Sequence, residues 1–190
     1  GIPMSEATIR SNFQREIDNL SNAILASKAD KMSTRVVKEL EKSKKALENR
    51  MKVMLEKREK DDLISFEELG VDRIYIDEAQ EFKNLMFVTR MGRQMRGLNP
   101  EGSGRAFDLF MKTNWLNDTL GRGVVLSSGT SISNSVGELY TVSRYLQPSE
   151  LAKRGIQMFD PWANTFGDIG QVAEYLPEGG GYQVVTKFNR

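Results

Sequence analysis

Apolar residues in the first sixty positions recur at steps of three and four, which is the spacing of one face of an α-helix. From Ser5 to about Ala29 the apolar positions are Ile9, Phe13, Ile17, Leu20 and Ile24. After a short polar break, a second stripe runs from about Ser33 to Lys60 through Val37, Leu40, Leu47, Met51 and Met54. Two such helices joined by a short turn predict an antiparallel helical hairpin arm over residues 1–62.

The other faces of the second predicted helix are filled by Lys, Arg and Glu. A charged face of this kind has two interpretations. In one, the hairpin is a lever or a DNA-facing arm. In the other, it is a helical insertion packed on itself with solvated charges, which is the commoner case for a charge run.

The pattern changes after Gly70, where a β-branched and aromatic run predicts a strand from Val71 to Ile76. A helix is predicted from about Arg105 to Leu120, and the wholly apolar run Val124–Leu126 predicts a second strand. A strand, a helix and a strand of these lengths form a βαβ unit. We therefore expect the two strands to be parallel and the crossover to be right-handed.

The segments around this unit are predicted less regularly. Residues Phe82 to Met91 are expected to form a short helix and loop, and the composition of Arg90 to Arg105, rich in Arg and Gly, favours a mobile surface loop. Further on, we expect two helices and a β-hairpin, at Val136–Leu146, Ser149–Gly155 and Val172–Phe188.

Composition excludes several classes of chemistry. The chain has 190 residues, of which 28% are charged and 39% hydrophobic, and its formal net charge is +1. It contains no Cys and no His, which excludes thiol nucleophiles, thiolate zinc sites and imidazole bases. No apolar run approaches the roughly 20 residues that span a bilayer, so we expect no membrane segment and a cytoplasmic location. Because the chain starts at Gly1 without an initiator Met, we expect a piece of a longer protein.

The strand that ends at Ile76 is followed by two adjacent carboxylates, Asp77 and Glu78. A nucleotide-hydrolysing sheet presents a metal-binding acid beside a water-activating one in this way. The tetrapeptide 77–80, Asp-Glu-Ala-Gln, resembles motif II, the Walker B box, of DEAD/DEAH-type helicases and translocases. Alone this is a weak signal, because most acidic pairs after a strand are solvated strand ends or helix caps.

Residues further along the chain sharpen the resemblance. Lys83 and Asn84 follow the acidic box as in the Swi/Snf-type branch of superfamily 2 ATPases. Residues 128–139 resemble motif III of that branch and include Ser128, Gly129, Thr130 and Asn134. Residues 145–148 are similar to the Phe-Leu-x-Pro that closes the region. Three matches in order, on predicted strand, loop and helix, are far more specific than any one.

A narrower likeness covers nearly the whole chain. The sequence resembles the helicase segment of the large methyltransferase-helicase proteins of phages, plasmids and conjugative elements. The residues that carry this resemblance lie at Ile2–Ser5, Phe66–Asp72 and Phe159–Gly167. It implies an α/β fold for residues 63–190, namely the C-terminal half of a RecA-like (P-loop NTPase) lobe with parallel strands and a terminal β-hairpin.

The sequence departs from the family pattern in three ways. Ser131 stands where motif III usually has Pro, which removes one fixed φ angle. The sequence has no Gly-x-x-x-x-Gly-Lys-Ser/Thr phosphate loop, and the arginine-finger motif of a second lobe is missing. The resemblance therefore implies a part of a larger motor, completed by a P-loop segment and a second RecA-like lobe, and inactive in isolation.

The resemblance also implies roles for individual residues in the complete motor, which would bind Mg²⁺ and ATP. Asp77 would hold the metal and Glu78 would polarise the attacking water. Gln80 would sense the motif III segment Ser128-Gly129-Thr130 and so link the nucleotide state to lobe movement, whereas local hydrogen bonding in a turn is the simpler alternative. Lys83, Asn84 and Asn134 would take part in this coupling.

DNA is the implied partner, in a protein that also carries a DNA methyltransferase. Arg90, Arg93, Arg96 and Arg105 are the candidate contacts to DNA phosphates. A solvated charged loop accounts for them equally well. The competing hypothesis for the whole chain is a non-enzymatic interaction module that uses the helical hairpin as its contact surface.

Overall fold

The N-terminal helices lie where the hydrophobic pattern predicts them. A computed structural model describes residues 2–60, 63–91, 98–130, 132, 135–175 and 180–189. Helix α1 spans Glu6–Ala29 and α2 spans Thr34–Lys60. Ser5 caps α1, since its Oγ accepts a hydrogen bond from the backbone N–H of Thr8 at 3.3 Å. The two predicted helices are confirmed to within one residue at their starts.

The predicted βαβ unit is also confirmed. Strand β1 (Ile74–Ile76) pairs in parallel with β2 (Val124–Leu126), and helix α3 (Gly104–Leu120) connects them. Gly123 makes the close pairing possible: its φ is +110°, and a Cβ there would lie 2.4 Å from the carbonyl oxygen of Asp72. The first strand is three residues long, so the predicted start at Val71 was too early.

The helix expected within Phe82–Met91 was wrong. A 3₁₀ helix covers Ala79–Phe82, and residues 83–89 form no helix or strand. Residues 85–89 are all buried: Leu85, Met86 and Val88 face one hydrophobic cluster and Phe87 faces another. Segment 85–89 lies between two cores and buries side chains in both, which the sequence pattern of one segment does not reveal.

The C-terminal part follows the prediction with one omission. Helices α4 (Glu138–Leu146) and α5 (Pro148–Lys153) replace the two predicted helices, and α6 (Phe159–Phe166) was not predicted. Strands β3 (Asp168–Tyr175) and β4 (Tyr182–Asn189) pair antiparallel, which confirms the hairpin and extends its start by four residues. Among the described residues, no helix is long and apolar enough to cross a membrane.

The helical hairpin and the βαβ unit share one hydrophobic core. The rings of Phe13 in α1 and Phe107 in α3 lie 4.7 Å apart between centroids, and both side chains are fully buried. Nearby, the Asn114 side chain donates to Asn12 Oδ1 at 2.9 Å in a buried position. Leu40 and Leu47 of α2 join the same cluster. The hairpin is therefore an integral part of the packing around the sheet.

Sequence-distant segments that carry the narrower family likeness contact one another. The backbone N–H of Phe66 donates to the carbonyl of Pro3 at 2.8 Å, and Ser5 Oγ donates to Glu67 Oε1 at 2.7 Å. At the other end of the chain, Asp160 in α6 accepts hydrogen bonds from Thr89 Oγ1 (2.6 Å) and the Arg90 N–H (2.8 Å). Each of these three segments therefore contains residues that form hydrogen bonds to a distant part of the chain.

A buried ion pair joins α1 to α4. Arg144 Nη2 lies 2.5 Å from Glu16 Oε1, and the two side chains are 8% and 4% exposed. Arg144 Nη1 donates to the carbonyl of Met86 at 2.5 Å, and its guanidinium lies 4.4 Å from the centroid of the Phe110 ring. Burial lowers the pKa of Arg144, but the facing carboxylate of Glu16 outweighs burial and the pKa is raised, so the group stays charged.

We expect Leu47→Ala to lower the free energy of unfolding by about 2–5 kcal/mol, because it removes a buried side chain and leaves a cavity in the shared core. Leu47 is 4% exposed, whereas Val53 on the same helix is 64% exposed. Val53→Ala is therefore the control and should change stability by less than about 0.5 kcal/mol. Urea denaturation followed by circular dichroism gives both values, and equal losses would contradict a role for Leu47 in the shared core.

We expect Arg144→Met to cost about 3–5 kcal/mol, since it leaves the Glu16 carboxylate buried without its cation. The double variant Glu16→Leu/Arg144→Met should recover most of that loss, because both buried charges are gone. The exposed pair Arg10–Glu6 provides the control, and Arg10→Met should cost about 0–1 kcal/mol. If the single and double variants were equally unstable, the cost would not come from the unpaired carboxylate.

Candidate functional site

The carboxyl ends of β1 and β2 bring the two candidate motifs together. The backbone N–H of Ser127 donates to the carbonyl of Ile76 at 2.8 Å, and the Ala79 N–H donates to the carbonyl of Ser127 at 2.9 Å. These bonds continue the parallel pairing by one step beyond each strand. Asp77, Glu78 and Ser128 therefore follow the same edge of the sheet, which is where open α/β sheets bind ligands.

A continuous chain of hydrogen bonds connects the motif III segment to the acidic box. The Thr130 N–H donates to Ser128 Oγ (3.1 Å), and Ser128 Oγ donates to Gln80 Oε1 (2.5 Å). The Gln80 side-chain amide then donates to Glu78 Oε2 at 2.5 Å. Gln80 thus uses both ends of its amide and connects Ser128 to the Glu78 carboxylate.

Glu78 has a backbone conformation that L-amino acids rarely adopt. Its φ and ψ are +51° and +48°, in the left-handed region. For a residue with a Cβ this conformation costs roughly 1–2 kcal/mol. The Glu78 N–H donates to Asp77 Oδ1 at 3.0 Å, which helps to hold the turn. A strained residue of this kind at a sheet edge is a common feature of functional sites.

A cavity of about 160 Å³ lies beside this edge and is lined by Gln80, Ser128 and Thr130 together with residues of α4. Lys83 Nζ lies 3.2 Å from Glu138 Oε1 in its wall, and the Glu138 side chain is 4% exposed. The Tyr145 hydroxyl lies 3.0 Å from the carbonyl oxygens of Phe82 and Ala106. The wall of the cavity therefore includes an ion pair with a buried carboxylate and an anchored phenol.

The Asp77 carboxylate at the sheet edge fits a magnesium ion whose other ligands are waters and substrate phosphates. Among the described residues, no group of three or more acidic or other metal-ligating side chains is present that could hold a metal ion. Asp77 is an exposed carboxylate at the end of a strand. Mg²⁺ typically takes one or two carboxylates and completes its shell with waters and substrate phosphates. Asp77 fits that arrangement.

The remaining predicted site residues are distributed as follows. Asn84 is exposed, and its carbonyl accepts from the Ser103 N–H at 2.7 Å. Gly129 is exposed between Ser128 and Thr130. Three predicted residues, Arg93, Arg96 and Asn134, lie outside the described residues.

Both described arginines of the predicted DNA-binding set make contacts within the protein. Arg90 pairs with Asp30 at the end of α1, and its Nε donates to Ser27 Oγ at 3.2 Å. Arg105 Nη2 lies 2.7 Å from Glu81 Oε2. These contacts give both arginines a structural role, and DNA binding by them stays a prediction.

Sequence reasoning missed the importance of Glu138 and Tyr145. Glu138 is a buried partner for Lys83, and Tyr145 anchors the turn that follows the acidic box. Signals for both were present, because Glu138 trails the motif III segment and Tyr145 begins the closing motif. The sequence predicted the helix that carries both residues, but it did not show that this helix lines a cavity beside the acidic box.

Comparison with known proteins gives one positive finding. A family described as a probable helicase domain matches residues 1–175. No curated protein matches the chain, and no solved structure matches it. The match covers the helical hairpin, the βαβ unit and helices α4 to α6.

We expect Glu78→Gly to be more stable than Glu78→Ala by about 1 kcal/mol, because both lose the carboxylate but only glycine relieves the left-handed strain. At Glu41, an exposed position inside α2, the order should reverse, with Gly less stable than Ala by roughly 0.5–1 kcal/mol. Thermal or urea denaturation of the four variants measures both differences. The same order at both sites would contradict backbone strain at Glu78.

Proposed function

The chain belongs to the family of probable helicase domains, and from that premise we propose that it is part of the ATP-hydrolysing motor of a superfamily 2 DNA helicase or translocase. The observation that carries the proposal is the hydrogen-bond chain from Thr130 through Ser128 and Gln80 to Glu78. A motor must link the state of its nucleotide to movement. These hydrogen bonds link the acidic box to a separate segment of the sheet edge.

In this proposal, Asp77 and Glu78 divide the work at the end of β1. Asp77 would hold Mg²⁺, and the ion would supply positive charge to offset that of the transferred phosphoryl group. Glu78 orients the attacking water through the oxygen that Gln80 does not occupy, since Gln80 donates to Oε2 only. Lys83, held by Glu138 in the cavity wall, fixes the start of α4 relative to the acidic box.

The small sheet supports the proposal that further strands complete the lobe. Tyr75 and Val125 are paired across β1 and β2 and are 69% and 42% exposed, so the outer face of the sheet is apolar and uncovered. Parallel sheets are almost always covered on both faces. A RecA-like lobe with additional strands, a P-loop segment and helices on the outer face would cover these side chains.

We propose in addition that the motor is joined to a DNA methyltransferase. The support is the narrower resemblance, whose segments at Ile2–Ser5 and Phe66–Asp72 contact each other through Pro3, Ser5 and Glu67. Residues kept together by such contacts form a structural unit rather than scattered similarities.

We expect the purified chain to show no DNA-stimulated ATP hydrolysis, because no phosphate loop in it can bind the β- and γ-phosphates. Joined with the P-loop segment and second lobe, it should hydrolyse ATP, and Glu78→Gln should lower turnover by about 100-fold or more while Mg·ATP binding persists. Phosphate release and nucleotide-binding assays measure the two quantities.

Asp72→Asn is the control, since Asp72 is an exposed carboxylate near the opposite end of β1. Turnover should stay within about twofold of the parent protein for a surface change of this kind. Turnover by the chain alone that Glu78→Gln abolishes would overturn the proposal that the motor is incomplete. Full activity of Glu78→Gln in the completed motor would overturn the role of Glu78, whereas absence of hydrolysis by the completed motor itself would favour the interaction-module hypothesis.

A further inference from the structure

Positive charge in this protein is concentrated on one helix. Helix α2 carries ten Lys or Arg side chains and five Glu side chains, whereas the whole chain has a formal net charge of +1. The rest of the chain is therefore net acidic. A near-neutral protein with one strongly basic element has a local electrostatic surface that its total charge conceals.

The cations of α2 form a stripe on its outer face. We define the basic stripe as Lys38, Lys42, Lys45 and Lys52, whose spacings of four, three and seven residues keep them on one side of a helix. All four side chains belong to exposed residues. The opposite side carries Leu40 and Leu47, which are buried against α1 and α3. Packing of the apolar face thus directs the basic stripe away from the protein.

Within the described part of the chain, the four lysines have no ion pair. Three acidic side chains of α2 near them are paired with other cations: Glu39 with Arg35, Glu41 with Lys28 and Glu48 with Lys44. These three carboxylates therefore offset charges beside the stripe, and the four lysines outnumber Glu56, the acidic residue of α2 that shares their face. Four like charges in a row repel one another, and an external polyanion relieves that repulsion.

We propose that the basic stripe binds the phosphate backbone of duplex DNA. At 1.5 Å per residue, the stripe from Lys38 to Lys52 is ~21 Å long. Along one DNA strand the phosphates are spaced by ~3.4 Å of helix axis, so the stripe spans about six of them. Lysine ammonium groups supply charge without base contacts, and the binding is therefore independent of DNA sequence.

The surroundings of the stripe favour DNA over an anionic membrane. A helix that lies in a membrane interface buries an apolar face in the lipid. The apolar face of α2 is occupied by the protein core, and beside the stripe only Val53 is a large exposed apolar side chain among the described residues of α2. The inference rests on the proposed function in one respect, namely that DNA is the polymer on which the motor works.

The test compares two variants of the full chain that lose the same positive charge. The first changes the basic stripe to glutamine: Lys38→Gln, Lys42→Gln, Lys45→Gln and Lys52→Gln. The control changes four exposed cations elsewhere: Lys57→Gln, Arg122→Gln, Lys153→Gln and Arg154→Gln. Glutamine is close to lysine in helix propensity, so α2 should remain intact, and circular dichroism verifies this.

Fluorescence anisotropy with a short labelled duplex, in the absence of nucleotide, gives the dissociation constant over a series of NaCl concentrations. The slope of log K against log salt should become less negative by about 0.9 for each phosphate contact removed, or by ~3.6 for the stripe variant. For the control variant the slope should be nearly unchanged. Equal slopes in the two variants would overturn the proposal. Absence of DNA binding by the unchanged chain would also overturn it. The same holds if the stripe variant lost binding to phosphatidylserine vesicles but kept binding to DNA.

The outcome is separable from that of the proposed function. Glu78→Gln alters the acidic box and leaves the basic stripe unchanged, so its DNA salt slope should equal that of the unchanged chain. If the stripe contacts DNA but Glu78→Gln retains full hydrolysis in the completed motor, the proposed role of Glu78 fails and the DNA surface stands. If the stripe variant binds DNA normally while Glu78→Gln abolishes hydrolysis, the reverse holds.

Discussion

The buried guanidinium of Arg144 is the interaction on which the arrangement of this protein depends. It contacts Glu16 in α1, the carbonyl of Met86 in segment 85–89 and the Phe110 ring in α3. A buried cation is costly unless every side of it is satisfied. Because these partners come from three separate parts of the chain, the guanidinium is satisfied only when α1, α3 and segment 85–89 are all in place around α4.

The same helix connects this interaction to the candidate site. Helix α4 begins at Glu138, which pairs with Lys83 beside the acidic box, and carries Arg144 less than two turns later. A helix of nine residues is rigid over that distance. A displacement of α4 therefore acts on both the cavity wall and the buried pair with α1. Packed side chains of α4 therefore connect the cavity wall beside the acidic box to the helical hairpin.

Packing against other elements also determines which face of α2 is buried and which is exposed. Leu40 and Leu47 are buried in a core that α1 and α3 complete, so the helix has one rotational orientation about its axis. That orientation leaves Lys38, Lys42, Lys45 and Lys52 exposed together. The hairpin shares its core with the sheet, so the exposed face of α2 lies on a packed support. A charged surface on a rigid support binds a polymer with less loss of side-chain and backbone freedom than a loop does.

The sequence by itself determined the local structure: hydrophobic periodicity predicted α1, α2 and α3, and short apolar runs predicted the parallel pairing of β1 with β2. Motif order placed Gln80 near Ser128, and the hydrogen bond between them agrees with that. Only the tertiary structure decided the rest. The burial of residues 85–89 between two cores, the left-handed turn at Glu78 and the contacts of Arg90 and Arg144 depend on partners distant in sequence. Periodicity reports one face of one element, whereas these features arise where several elements meet.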